Sequence, residues 1–291
     1  MIQIHQDDSV RTFYDSVASL LYKDEATNSL LLGNCLNLLK LTEPPKEKPR
    51  LFRVTEDEAL VTAAIQHPLM RGLVLTFGDK RHFASLSQFL FEHQYTFPGV
   101  VGPQDTAEMF AKHWCELTGL LPKLQTTQRL YKIESVKMPK GIRGQFVQAA
   151  SIDTQLVAQW LHEFTMDAIP HEEKTKEHYI EAADSAIKQG FAYFWTVDGT
   201  PVSTAHVGRP TKNGISVRAV YTPRTFRKKG FASAVVANLS QHMLDSGYKF
   251  CVLYTDLSNP TSNKIYQDVG YRDVSDSKHF VFQNGTTHEE N

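Results

Sequence analysis

Apolar residues in the first half of the chain recur at helical spacing and then at the spacing of strands. From Ser9 to Leu41 they return every three or four residues, which predicts a helix that breaks once near Asp24. The proline-rich stretch at 43–49 cannot continue a helix. The runs beyond it predict strands at 51–55, 59–66, 72–77 and 128–134, and helices at 85–92 and 104–118.

The second half of the chain begins with one predicted strand at 145–149 and two amphipathic helices at 154–166 and 174–189. Two strands at 191–197 and 201–207 then follow on either side of Asp198-Gly199, the dipeptide of a tight hairpin. The remaining predictions are strands at 215–221 and 250–254, a helix between them that Gly247 ends, and closing strands at 271–274 and 278–282.

Two domains are predicted from chain length and from a linker. The chain has 291 residues, more than the roughly 100 to 200 of a typical domain. Residues 139–144 have the composition of a linker. We therefore expect an N-terminal α/β domain at 1–140, a second domain at 141–283 and a polar tail at 284–291.

Composition and charge narrow the class of protein. The formal net charge is −1, without the basic stripe of nucleic-acid binders, and no apolar run reaches the roughly 20 residues that span a membrane. The N-terminus lacks the pattern of a secretory signal, so we expect a cytoplasmic protein. Cys35, Cys115 and Cys251 are far apart and predict reduced core thiols, and no metal site is predicted.

A cationic turn in the second half has the properties of a phosphate site. Residues 217–232 read as an apolar strand that runs into a glycine-bearing turn and then opens a helix. The first amides of a helix lack intrahelical partners and lie at the positive end of its dipole, so Lys228–Ser233 can point N–H groups at an anion. Gly230 permits close approach of the backbone, and Arg227 with the two lysines that follow adds three positive charges. A phosphorylated cofactor is therefore predicted.

Two motifs together resemble a known family. The turn lacks the glycine patterns of dinucleotide and triphosphate loops. Instead, Arg227, Gly230 and Ala232 resemble the Arg/Gln-x-x-Gly-x-Gly/Ala pyrophosphate loop of the GCN5-related N-acetyltransferases. The stretch 254–271 resembles that family's final strand, helix and Gly-aromatic turn, in the expected order. The likeness covers roughly residues 145–283.

The resemblance implies a fold, a cofactor and a reaction. It implies a mixed α/β, mostly antiparallel central sheet flanked by helices, and transfer of an acetyl group from acetyl-CoA to a primary amine of a small molecule or peptide by direct attack. The strand Ala219–Thr222 would polarise the thioester, Asn259 would contact the pantetheine arm, and Tyr266 would protonate the departing thiolate. The expected cofactor-binding residues are Val220, Tyr221, Thr222, Arg227, Lys228, Lys229, Gly230, Phe231, Ala232, Ser233, Asn259 and Asn263.

Several roles stay open on the sequence. Tyr266 also fits a packing role, and Asn259 fits a helix cap. The general base has no clear candidate: His206 lies in a predicted strand, Glu172 and Glu173 form an acidic turn, and Arg218 would disfavour a nearby ammonium. A non-catalytic acyl-CoA sensor and an interaction module are alternatives to an enzyme.

The N-terminal half contains no pyrophosphate motif of its own. One interpretation is a degenerate copy of the same fold, with 97–103 at the position of a cofactor loop. The other is an unrelated domain that shields the sheet or lines the substrate cleft. The sequence does not distinguish them.

Overall fold

The computed structural model describes residues 1–43, 45, 47–68 and 72–285. Contacts divide the chain into two compact units: unit 1 comprises Met1–Leu130, Thr255–Ser258 and Val274–Asn291, and unit 2 comprises Tyr131–Tyr254 and Asn259–Asp273. The predicted domain boundary near residue 140 stays a prediction. The predicted tail lies outside the described residues from position 286 onward.

Twelve strands and eight α-helices are present in the described part of the chain. The strands are β1 Ile2–Asp7, β2 Arg50–Glu56, β3 Ala59–Gln66, β4 Leu73–Leu75, β5 Gly99–Pro103, β6 Leu121–Ile133, β7 Gln145–Gln148, β8 Ala192–Val197, β9 Thr200–Gly208, β10 Gly214–Tyr221, β11 Phe250–Asp256 and β12 Arg272–Gln283. The helices are α1 Val10–Leu21, α2 Ser29–Leu39, α3 Lys80–Glu92, α4 Gln104–Thr118, α5 Thr154–Ala168, α6 Lys176–Lys188, α7 Phe231–Asp245 and α8 Pro260–Val269.

Unit 1 is a sheet with helices on both faces. Its strand order is β1-β2-β3-β4-β5-β12-β6. Strands β1 to β4 pair antiparallel, and β4 pairs with β5 in parallel. Because successive side chains of a strand point to opposite faces, Leu51 packs with α1 and α2, while Phe52 packs with α3 and α4.

Unit 2 has the same construction. Its strand order is β6-β11-β10-β9-β8-β7, with antiparallel pairs from β7 to β10 and a parallel β10–β11 pair. Ala192 and Phe194 pack against α5 and α6, whereas Tyr193 and Trp195 belong to the core that contains α7 and α8. Because helices cover both faces, β8 is apolar at every position except Thr196.

The two halves of the chain repeat one order of elements. From β1 to β6 and from β7 to β12 the order is strand, two helices, three strands, helix, strand, helix, strand. The parallel pair recurs at the same place in each series. The predicted fold class is confirmed, and of the two interpretations of the N-terminal half, the structure has the repeated fold.

Three sequence-based predictions differ from the structure. The short amphipathic strand β1 was not predicted, and β12 is one strand where two were expected. Residues 97–103 are not a cofactor loop, because Gly99–Pro103 is strand β5. A side chain at Gly99 would collide with the backbone oxygen of Phe280 on β12, so strand packing explains this glycine.

Within the described ranges, none of the helices combines the length and apolar character that crossing a membrane requires.

Candidate functional site

The cationic turn joins β10 to α7 in unit 2. Gly230 is the N-cap of α7 with a left-handed φ of 81°, and Lys228 is also left-handed, with φ of 64°. Nothing in the described part of the chain caps α7 with a side chain, so its first turn, Phe231–Ser233, presents amides without such a partner. An uncapped helix N-terminus beside lysines fits a diphosphate group.

Arg227 holds the turn against α5. Its Nη2 donates to Asp167 Oδ2 at 2.5 Å, and its Nε donates to the carbonyl oxygen of Thr222 at 2.8 Å. Arg224 Nη2 donates to the other carboxylate oxygen of Asp167 at 3.0 Å. These partners, Arg227 foremost, lower the pKa of Asp167. Arg227 therefore positions the turn, and Lys228 and Lys229 remain exposed.

Asp167 was not predicted as a site residue, although the sequence carries a signal for it. The carboxylate lies in the last turn of α5, where the helix dipole disfavours negative charge. An acidic residue in that position indicates a cationic partner. Without the fold, however, nothing in the sequence connects it to Arg227, which is 60 residues away.

Strand β10 contains a bulge immediately before the turn. Arg218 pairs with His206 and Tyr221 with Thr204, so Ala219 and Val220 together face one residue of β9. Ala219 has a left-handed φ of 48°. On the other edge, the pairing of β10 with β11 runs from Gly214 only as far as Ser216. Among the described residues, therefore, no strand ladder includes Ala219 or Val220.

The other predicted residues at the end of β10 are divided between the two faces of the sheet. Val220 packs against the core that contains α7, and Tyr221 packs against the core that contains α5. Burial raises the pKa of Tyr221 to about 12, and its hydrogen bond with Glu163 acts in the same direction. The Thr222 hydroxyl lies 2.8 Å from Ser203 Oγ.

Tyr266 lies in α8 and is only 8% exposed. Its ring centroid is 6.3 Å from that of Tyr131 and 5.9 Å from that of Tyr271. Burial raises the pKa of Tyr266 above the ordinary range of a phenol. Full proton transfer to a thiolate is therefore more costly than for a free phenol. The catalytic role of Tyr266 stays a prediction.

The two predicted asparagines contribute to the structure of α8. Asn259 is its N-cap, and its Oδ1 accepts from the backbone N–H of Ser262 at 3.0 Å. Asn263 Oδ1 accepts from the Tyr131 hydroxyl at 3.0 Å, and its Nδ2 donates to the Asn259 carbonyl oxygen at 2.7 Å. Their contact with a cofactor stays a prediction, and the capping alternative for Asn259 is present in the structure.

The candidate bases differ in burial. His206 is buried, and desolvation followed by the charge of Arg218 lowers its pKa to about 3, which makes it a weak base. Glu173 forms a 3.5 Å contact with His162, and both side chains are about half exposed. Glu172 likewise lies in an exposed turn. The geometry does not select a base from this set.

The corresponding position in unit 1 has a different character. The connection from β4 to α3 is residues 76–79 and ends in an acid, Asp79. Arg81 pairs with Glu56 at 2.7 Å, and the same carboxylate lies 3.2 Å from His82 Nε2. His82 Nδ1 accepts from the backbone N–H of Asp79 at 3.2 Å. Carboxylates therefore lie around this turn, whereas unit 2 has Lys228 and Lys229, which form no ion pair within the part of the chain that the structure describes.

Comparison with known proteins agrees with this geometry. Residues 155–271 match the family model of the acetyltransferase (GNAT) family. This region, less than half of the chain, thus carries the likeness to the acetyltransferase domain of the GNAT family. It contains α5, the bulged strand, the cationic turn and α8. No curated protein matches the sequence.

Solved structures match almost the whole chain. A GNAT-family acetyltransferase from Colwellia psychrerythraea has a TM-score of 0.58 at 13% identity, over 97% of this chain and 100% of its own. A GCN5-related N-acetyltransferase from Sphaerobacter thermophilus gives 0.62 at 14%, over 96% and 94%. A tandem GNAT protein of the clavulanic acid biosynthesis pathway gives 0.57 at 10%, over 96% and 98%. At these identities the likeness shows the fold.

Proposed function

We propose that this protein is an acetyl-CoA-dependent N-acetyltransferase whose active site lies in unit 2. The observation that carries the proposal is the segment Ala219–Val220, which no ladder of the described strands includes. It stands directly before a cationic turn that opens an uncapped helix. The unpaired backbone of Ala219–Val220 can bind the thioester, and the turn a few residues later can bind the diphosphate, as an extended thioester cofactor requires.

Each part of the turn has a separate task. The amides of Phe231, Ala232 and Ser233, with Lys228 and Lys229, would bind the diphosphate of acetyl-CoA. Arg227 would keep the turn in its binding conformation through Asp167. The cofactor supplies a thioester as acetyl donor.

The reaction needs little chemistry from side chains. A neutral amine attacks the thioester carbonyl, the C–N bond forms, and the C–S bond breaks. Backbone N–H groups of the bulged segment would stabilise the charge on the carbonyl oxygen, for which one donor contributes up to about 3 kcal/mol. Tyr266 would donate a hydrogen bond to the sulphur, which leaves as a thiolate and takes a proton from water, and the proton of the amine would pass to water. Holding both substrates in contact supplies much of the remaining acceleration.

A non-catalytic acyl-CoA sensor is the second candidate. The burial of Tyr266 favours it, because a phenol whose pKa is raised is a weaker acid. Release of free thiol from acetyl-CoA in the presence of amines separates the two functions, since a sensor binds without turnover.

The near-neutral net charge and the free cysteines agree with action in the cytoplasm.

Thermal unfolding with and without acetyl-CoA tests the proposal. Ligand at a hundred times its dissociation constant adds about 2.7 kcal/mol of stability. We expect a higher Tm with acetyl-CoA and no change with NAD or ATP at equal concentration. An unchanged Tm with saturating acetyl-CoA would show that the protein does not bind this cofactor. The interaction module would then be the better interpretation.

A further inference from the structure

Four polar side chains gather on β9, β10 and the loop after β9, outside the cofactor site. His206 on β9 pairs in register with Arg218 on β10, and Ser216 pairs with Gly208. Arg209 directly follows β9. His206 shares its sheet face with Ala192, its partner on β8, which packs against α5 and α6. We name these four residues, His206, Arg209, Ser216 and Arg218, the arginine cluster.

Polar atoms of the arginine cluster are buried without partners. His206 is 3% exposed and Ser216 is 1% exposed. Within the described ranges, His206 Nε2, Arg209 Nε and Ser216 Oγ have no hydrogen-bond partner. Buried polar atoms are nearly always paired, and an unpaired one costs about 1–3 kcal/mol. Three such atoms in one place indicate a ligand that supplies the missing partners.

The charge of the arginine cluster is also unopposed. No carboxylate in the described part of the chain forms an ion pair with Arg209 or Arg218. Burial and then the charge of Arg218 lower the pKa of Arg209 to about 10. Arg218 is exposed at its surface, and desolvation of the rest of the group lowers its pKa. Two neighbouring cations that face no carboxylate attract an anion.

The backbone holds these side chains in place at a cost. Arg209 has a left-handed φ of 47°, and Ala219, which follows Arg218, has a φ of 48°. Such a conformation costs a residue with a side chain on the order of 1 kcal/mol or more. One strained residue, Arg209, belongs to the arginine cluster and the other, Ala219, directly follows it, and such strain is found often at binding sites.

The arginine cluster lies next to the proposed reaction centre. Arg218 immediately precedes the Ala219–Val220 segment, and consecutive Cα atoms are about 3.8 Å apart. Ser216 is the last residue of β10 that pairs with β11. The Arg218 side chain lies against Gly208 on β9, where a Cβ would be 3.6 Å from its Nη1, so the arginine cluster begins beside the bulge and extends toward Ser216.

We infer that the acceptor carries a carboxylate close to its amine, as an amino acid does, and that the arginine cluster binds this carboxylate. The inference rests on the proposed function. Two guanidinium groups and a hydroxyl match the two oxygens of a carboxylate in bidentate geometry. The features that favour phosphate, an uncapped helix and lysines, lie in the cationic turn.

Binding of reaction products tests the inference without turnover. We would titrate N-acetyl derivatives of the standard amino acids into the full-length protein by calorimetry, each as the free acid and as the carboxamide. Those acids that bind should bind at least roughly tenfold more tightly than their amides, because a charge-assisted contact is lost. Arg218→Gln and Arg209→Gln should each abolish this preference, and Arg218→Lys should keep part of it. The matched control is Lys212→Gln, which removes an exposed cation from the same loop.

The outcomes separate the inference from the proposed function. Equal binding of acids and amides, no binding of either, or a preference that both glutamine variants retain, overturns the inference. Thermal unfolding of each variant shows that it is folded, and having two variants covers the failure of one. Thiol release with amines measures acetyl transfer separately: a preference for acids without any turnover would remove acetyl transfer and leave the carboxylate site.

Discussion

Asp167 and Arg227 are joined by a 2.5 Å hydrogen bond between a carboxylate oxygen and a guanidinium nitrogen, across 60 residues of sequence. The bond ties the last turn of α5 to the turn that would hold the diphosphate. Sequence alone assigns Arg227 to ligand binding. In the structure its guanidinium already has a partner within the protein. Its contribution to binding is then indirect.

Asp167→Asn should lower both Tm and acetyl-CoA affinity, because Arg224 and Arg227 lose their charged partner. The pKa of Asp167 is depressed in the folded state, so its contribution to stability is complete above the unfolded value of about 3.9. It is lost as the pH falls through the folded value. Thermal unfolding at neutral and strongly acidic pH measures this difference.

The control for that prediction is Asp184→Asn, which removes an exposed pair with Lys188 four residues away. Surface pairs of this kind contribute little to stability. If the Asp167 variant unfolds like this control at neutral pH, Asp167 does not hold the turn.

Charge reversal at Lys229 should weaken acetyl-CoA binding and leave stability unchanged. The side chain is exposed and has no ion pair among the described residues, and its contact with the Phe226 ring is a distant one, 6.0 Å from Nζ to the centroid, so Lys229→Glu should cost little stability. We expect roughly a tenfold loss of affinity, equal to about 1.4 kcal/mol, which diminishes at high salt because the charges are screened. Lys23→Glu, at another exposed position, is the control. An affinity equal to that of the control would place the diphosphate elsewhere.

Gly230→Ala should unfold more easily for two separable reasons. The φ of 81° is strained for alanine, and the new Cβ would lie 2.7 Å from Ile142 Cδ1. We expect a loss of about 1–2 kcal/mol in urea unfolding, by the cost of a left-handed residue. In the double variant Gly230→Ala/Ile142→Ala the collision is removed, while the strained φ at residue 230 remains. Full recovery in the double variant would show that strain contributes nothing.

Tyr266→Phe should reduce kcat while the KM for acetyl-CoA changes little, because the hydroxyl acts on the leaving sulphur. Since burial raises the pKa of Tyr266, kcat should show no fall from phenol ionisation below about pH 10. Tyr271→Phe is the control: its hydroxyl lies 2.7 Å from Ser240 Oγ, so stability should fall and kcat should not. A Tyr266 variant as fast as the wild type would show that the leaving sulphur needs no hydrogen bond from this hydroxyl.

Calorimetry should find one acetyl-CoA site per chain. Unit 1 repeats the fold, but its corresponding turn contains Asp79 and lies beside Glu56, which repel a diphosphate. A stoichiometry of two would contradict this interpretation.

Local patterns predicted the elements well where one residue type dictates the geometry. Asp198 and Gly199 have φ values of 50° and 78°, as the hairpin dipeptide requires, and α4 spans the predicted residues. The interpretation of 97–103 as a cofactor loop was wrong because glycine is favoured both by phosphate binding and by close backbone contact. At Gly99 the cause is backbone contact.

The arrangement of the site needed the fold. No sequence pattern predicts the bulge at Ala219. The pairing of His206 with Arg218 depends on the register of β9 against β10. His206 was considered as a base, whereas the structure places it in the arginine cluster. Long-range pairings of this kind are invisible to spacing rules.

Unit 1 is formed by segments that lie far apart in the sequence, and this affects its folding during synthesis. Its strand β5 pairs with Ser277–Val281 of β12, which follow the whole second repeat in the sequence. A ribosome that has released only the first half has therefore produced a domain with an open sheet edge, a surface that invites aggregation. Co-translational folding of unit 1 must wait until β12 has been synthesised, and splitting the gene between the repeats would separate a strand from its neighbour.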